Sequence, residues 1–203
     1  IFMGNSSLID INSLINSKNK SSKNWYDHNF LFDKISKLLE EKLKELGSNY
    51  DKILLLSADA GESLEYTSKL TFTKLIFLSP YRNLLNKKKI QSNKILKVES
   101  YFENLPLKNE KFDLIISNLC INNIADRKRH LSELFQLLKA GGLFVCNFFG
   151  EKTMYELRNS LISTDEKLFH GAFMRLPVNL KMVEISDLLG QVGFKELVSE
   201  TIS

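Results

Sequence analysis

The chain has 203 residues, a mass of 23.4 kDa and a formal net charge of +4. That length allows one domain, or one domain with a short arm, and 43% hydrophobic content can fill a core. The charge is mildly basic, short of the clustered stripe of a dedicated nucleic-acid binder, so no nucleic-acid partner is expected. No window of about 18 apolar residues is free of charge, which excludes a membrane-spanning helix. The opening residues lack a charged n-region followed by a long apolar stretch, so no secretory signal is expected. Ile1 ahead of Met3 points to a partial chain. Cys120 and Cys146 have no CxxC partner, and His28, His130 and His170 are scattered, so no metal site is predicted.

Residues 1–24 are rich in Ser, Asn and Lys and read as a mobile or loosely packed arm, with a single domain over 25–203. Leu31, Ile35, Leu38, Leu39, Leu43 and Leu46 recur at steps of mostly three and four, which predicts a helix stopped by Gly47. Short apolar runs follow at 53–56, 75–78, 95–98, 112–116 and 143–149. Helical stretches at 64–70, 81–88, 127–138 and 153–162 separate or follow them, and 140–142 reads as a turn. A last helix at 185–192 closes at Gly193, ahead of a sixth candidate strand at 194–198. Runs apolar on both faces, alternating with helices, predict a mostly parallel sheet of five or six strands with helices on both faces. Ligands in such α/β sheets sit at the carboxyl ends of the strands. The Arg127-Lys128-Arg129-His130 stretch reads as a solvated helix face, and Lys87-Lys88-Lys89 as a solubility feature.

Residues 109–150 are the most informative. A Phe112-Asp113 pair opens an apolar strand, small polar residues close it, a helix follows, and Lys139-Ala140-Gly141-Gly142 leads into another strand. With Leu105-Pro106 upstream, this resembles the second half of a class I S-adenosylmethionine-dependent methyltransferase, and the likeness spans roughly 30–203. The stretch from Phe149 to Arg158 resembles the FGxxTxxELR signature of one branch of that family. The branch is related to the biotin-pathway methyltransferase acting on malonyl-carrier proteins and includes assembly factors of respiratory complex I. The resemblance implies a Rossmann-like α/β fold, S-adenosylmethionine as cofactor, and a cofactor pocket formed by Ser57, Ala58, Asp59, Gly61, Phe77, Leu78, Tyr101, Phe102 and Asn118. It places Asn122, Tyr155, Glu156 and Arg158 on the substrate side.

The family's cofactor landmarks are altered here. Leu55 stands at the usual acid of the first strand, and of the GxGxG glycines only Gly61 remains, Asp59 replacing the central one. Phe77 falls at or near the ribose-binding acid, Tyr101 at the adenine-side Asp, and Asn122-Asn123 at a His-Trp pair. Two functions are therefore expected to compete. One is a methyltransferase-family enzyme with an atypical cofactor loop and an unknown acceptor, for which no catalytic residue is named. The other is a cofactor-poor, methyltransferase-like assembly factor, or a protein-modifying homologue, acting on a respiratory complex I subunit. The expected compartment is the bacterial cytosol, or the mitochondrial matrix of a eukaryote.

Overall fold

The computed structural model describes residues 10–90, 92–108, 110–173, 176 and 179–202. Two compact units divide it, Ile1–Asn147 and Phe148–Ser203, so the boundary lies far from the one expected near residue 25. In the first unit the helices are α1 (Ile11–Ser21), α2 (Trp25–His28), α3 (Phe30–Leu46), α4 (Glu62–Thr67), α5 (Arg82–Leu85) and α6 (Arg127–Leu137). The strands are β1 (Lys52–Ser57), β2 (Lys74–Ser79), β3 (Ile95–Glu99), β4 (Phe112–Asn118) and β5 (Leu138–Asn147). They form one sheet in the order β3-β2-β1-β4-β5, every pair parallel. No sixth strand occurs among the described residues, and 194–198 are irregular.

The apolar runs explain the sheet. Ile53, Leu55, Leu75, Phe77, Leu114 and Ile116 share one face and form a core with Leu39 and Leu43 of α3. Their neighbours Leu54, Leu56, Ile76, Leu78 and Ile115 are buried too, so both faces are covered. Gly47 ends α3 at φ +118°, a conformation open to glycine. At the amino ends of the strands, Asp113 accepts from the Lys52 amide at 2.8 Å and pairs with Lys139 at 3.0 Å. The Phe-Asp motif is thus a scaffold feature. The expected turn at 140–142 lies inside β5 as a bulge: Phe112 pairs with Leu138 but Leu114 with Leu143, and Gly141 takes φ +74°.

Where a loosely packed arm was expected, α1 is a helix capped by Asp10, whose carboxylate accepts from the Asn12 and Ser13 amides. Asn19 joins it to α5, accepting from the Asn83 amide at 3.1 Å. Lys87 donates to the Ser22 carbonyl and Lys88 pairs with Glu65, so this lysine cluster buttresses structure. Residues 1–9 of the expected arm lie outside the described residues.

The second unit holds α7 (Tyr155–Phe169) and α8 (Met182–Val192), the latter ended by Gly193 at φ +118°. Asn179 donates to the carbonyls of Glu151 and Thr153 at 3.0 and 2.7 Å, and Gly150 bridges to Leu180. This folds the turn before α7 against the segment entering α8.

His130 corrects the expected solvated face. It is 1% exposed, and burial pushes its imidazole down to about 4, against the opposing pull of Glu103 and the Phe102 backbone. Basic neighbours on a helix do not report which face meets the core. The folded imidazole stays neutral down to about pH 4, whereas the unfolded chain protonates near 6.5. The unfolded state therefore binds more protons in that window, and stability is lost as pH falls through it. Thermal melts are expected to show a steeper loss between pH 6.5 and 4 for the wild type than for His130→Gln, and coincident profiles would refute this. In the opposite layer, Phe77→Ala is expected to cost about 3–5 kcal/mol in urea denaturation.

Candidate functional site

β1 lies between β2 and β4, so the chain leaves it in one direction toward β2 and β3 and later returns on the other side to β4 and β5. That reversal opens a crevice at the carboxyl ends of the strands. Ser57 and Asn118, the last residues of β1 and β4, are register partners there. Asn118 Nδ2 donates to Ser57 Oγ at 3.0 Å and to Asp59 Oδ2 at 2.9 Å. Asp59 also accepts from the amides of Gly61 and Ser63 at 2.9 and 3.0 Å. The Asp59 side chain thus folds back and takes the loop's own donors. Asn118 Oδ1 is buried with no partner among the described residues.

A second acid joins this loop. Glu62 accepts from the Ala60 amide at 2.8 Å, Trp25 Nε1 at 2.7 Å and Asn29 Nδ2 at 2.8 Å. Asp59 is fully buried. Desolvation, then the Glu62 charge, holds its carboxyl above the usual range, opposed by bonds from Ser63 and Gly61. α1 brings a half-buried lysine to this region. Lys18 Nζ sits 4.8 Å from the Phe32 ring centroid and 5.6 Å from that of Trp25. Burial lowers its pKa, while the Asp59 charge raises it.

Further along the strand ends lies a cavity of about 270 Å³. Its walls include Ile11 and Ile15 of α1, Tyr81 after β2, Tyr101 and Phe102 after β3, and Asn123 after β4. Tyr81 is buried and meets Phe102 edge-on, ring centroids 6.3 Å apart. Cys120, fully buried beside this region, has its thiol pushed well up by burial, which makes it a poor nucleophile.

The structure brings Ser57, Ala58, Asp59, Gly61 and Asn118 together, and places Tyr101 and Phe102 at the cavity. It corrects Phe77, which is turned into the α3-side core, two residues short of the strand end. Ser79 closes β2 in its place. Leu78, also strand-interior, is fully buried. Asn122 is buried in the turn Ile121–Asn123. Tyr155 and Glu156 are exposed on the first turn of α7, in the second unit, and Arg158 of the same helix is half-buried. Sequence reasoning missed Lys18, Trp25, Glu62 and Tyr81. The chain's single tryptophan was a usable signal; no local pattern marks the others.

The family profile described as "Methyltransferase domain" matches residues 59–146. Human "Arginine-hydroxylase NDUFAF5, mitochondrial" is 25% identical over 189 residues, covering 90% of this chain and 55% of that protein. A malonyl-[acyl-carrier protein] O-methyltransferase of Xylella fastidiosa is 27% identical over 158 residues, covering 75% and 54%. The chain thus spans about half the length of the curated relatives it matches. Among solved structures, a Haloferax volcanii complex of the Trm112 methyltransferase activator and a putative methyltransferase aligns with TM-score 0.64 at 15% identity, covering 88% of this chain and 74% of that one. The plantazolicin methyltransferase BpumL in complex with SAH gives 0.59 at 16% identity, covering 93% and 72%. These likenesses show the Rossmann-like class I methyltransferase fold.

Asn118→Ala withdraws a donor from a buried carboxylate. It is expected to cost about 1–3 kcal/mol in urea denaturation. In the Asp59→Ala background the same change should cost clearly less, because the acceptor is already gone; an additive cycle would disprove the coupling.

Proposed function

From the premise that the chain is methyltransferase-like in its domain, its relatives and its fold, we propose that it binds S-adenosylmethionine in the strand-end crevice of the first unit. The supporting observation is the aromatic cavity of about 270 Å³ walled by Tyr81, Tyr101 and Phe102. Its volume and aromatic lining suit an adenine ring. The rest of the crevice suits the remainder of the cofactor chemically: Asn118 Oδ1 is an unpaired buried acceptor, and Asp59 and Glu62 offer two carboxylates to a cation. When bound, the cofactor supplies an activated methyl group. This chain's part is positioning and exclusion of water, with Tyr101 and Phe102 holding the base and α1 covering the site. Asn122, within the first unit, is proposed to border the acceptor.

The acceptor is proposed to be a protein, a subunit of respiratory complex I, in the mitochondrial matrix of a eukaryote or the bacterial cytosol. Similarity to a mitochondrial NDUFAF5 supports that link. No helix among the described residues is long and apolar enough to cross a membrane.

One observation favours the second reading, a cofactor-poor assembly factor. The amides of Ala60, Gly61 and Ser63 are already taken by Glu62 and Asp59, so the loop has little left to offer a ligand. Calorimetric titration with S-adenosylhomocysteine and S-adenosylmethionine decides between them. Saturable binding that Tyr101→Ala weakens about tenfold is expected for the cofactor reading. No heat from folded protein up to millimolar ligand would overturn it in favour of the second.

A further inference from the structure

The cluster around Lys18 has the composition of a cation site. Two aromatic rings, Trp25 and Phe32, lie 4.7 Å apart between centroids at 44°, and Lys18 Nζ sits against both. An ammonium over ring faces is attracted by their quadrupole, and the same attraction recognises quaternary ammonium ligands. Trp25 is only 6% exposed and is fixed in place by its indole bond to Glu62. Glu62 in turn holds the Ala60 amide of the loop, and Asp59 lies within electrostatic reach of Lys18. Two buried carboxylates in one loop repel each other unless a cation offsets them. The Asp59 charge favours the protonated form of Lys18, against the larger effect of burial.

Lys18 is carried by an element that can leave. Among the described residues, α1 has no fully buried residue, and the Asn19–Asn83 pair ties it to α5. Segments with few buried groups open at low free energy. The same helix walls the neighbouring cavity through Ile11 and Ile15, so its displacement would free the box and the cavity together.

We propose that Trp25, Phe32, Asp59 and Glu62 form a binding site for a small organic cation of the sulfonium or quaternary-ammonium type, which Lys18 fills until such a ligand displaces it. The inference rests on the cofactor reading only for the identity of the natural cation, which would be the sulfonium of S-adenosylmethionine. Lys18 then sets ligand preference. It opposes a sulfonium that needs the box, and opposes less a neutral thioether of the same shape.

Trp25, the sole tryptophan, makes the site directly observable by fluorescence. The full chain is titrated with trimethylsulfonium, against sodium chloride at matched ionic strength. Lys18→Met is expected to show a saturable change in Trp25 emission at a concentration at least about tenfold below that needed by the wild type. Lys18→Arg, which keeps the cation, should behave like the wild type. Lys18→Gln gives the same reading as Lys18→Met if methionine impairs folding. S-adenosylmethionine should gain about tenfold in affinity from Lys18→Met, and S-adenosylhomocysteine less than about threefold. Trimethylsulfonium binding without binding of either nucleoside ligand would uphold the cation site and sink the cofactor reading alone. Equal gains for the two nucleoside ligands, or no saturable trimethylsulfonium response in a folded Lys18 variant, would overturn the proposal.

Discussion

A carboxylate taken fully out of water must be given donors or a counter-charge, and Asp59 imposes that demand at the end of β1. The strand-end region is arranged around meeting it. Asn118 reaches across from β4, the turn into α4 aims the Gly61 and Ser63 amides inward, and Lys18 approaches from α1. Glu62 adds a second acid and recruits Trp25 and Asn29. The N-terminal segment and the loop are therefore one electrostatic assembly. The Glu62 carboxylate ties Trp25 of α2 and Asn29 to the loop.

The sheet makes this arrangement possible. Parallel strands buried on both faces are stiff and fix the relative heights of Ser57, Ser79 and Asn118. Anchorage at the far end comes from Asp113 and Glu110 with Lys52, Lys74 and Lys139. These pairs are partly exposed, so each contributes modestly. Together they pin the amino ends while the crevice end carries the buried polar node. Scaffold and site thus occupy opposite edges of the sheet, and the scaffold motifs stay recognisable while the crevice lining departs from the family pattern.

Most of the scaffold was legible because it rests on local patterns. Continuous apolar runs mark β1, β2 and β4, three- and four-residue spacing marks α3, and Gly47 and Gly193 mark helix ends. Phe77 shows where the reading failed. The apolar run stops at Leu78, but the strand's last residue is the polar Ser79, and a two-residue offset returns a side chain to the same face. An aromatic taken for pocket lining was therefore core. The serine- and lysine-rich composition of residues 1–24 suggested an arm that buries nothing. The value of Lys18 lies in rings and acids elsewhere in the chain, which composition does not encode. Glu62 was invisible for the same reason, since its partner Trp25 is 37 residues away.

The one glycine that survives in the loop sharpens this view. Gly61 takes φ +103°, and a Cβ there would lie 2.8 Å from the Lys88 Cβ, so the chain's own packing requires glycine at that point. Asp59 is not among the residues with positive φ, and a side chain at this place needs no strained backbone. Family resemblance alone would take Gly61 as a remnant of a ligand site and Asp59 as damage to it. The geometry supports neither inference. Gly61 is present for its own fold, and Asp59 is accommodated, hydrogen-bonded and paired with another acid. Any occupant of this crevice meets two buried carboxylates whose donors the fold already supplies, with the Asp59 carboxyl held above its usual range by burial and by the Glu62 charge.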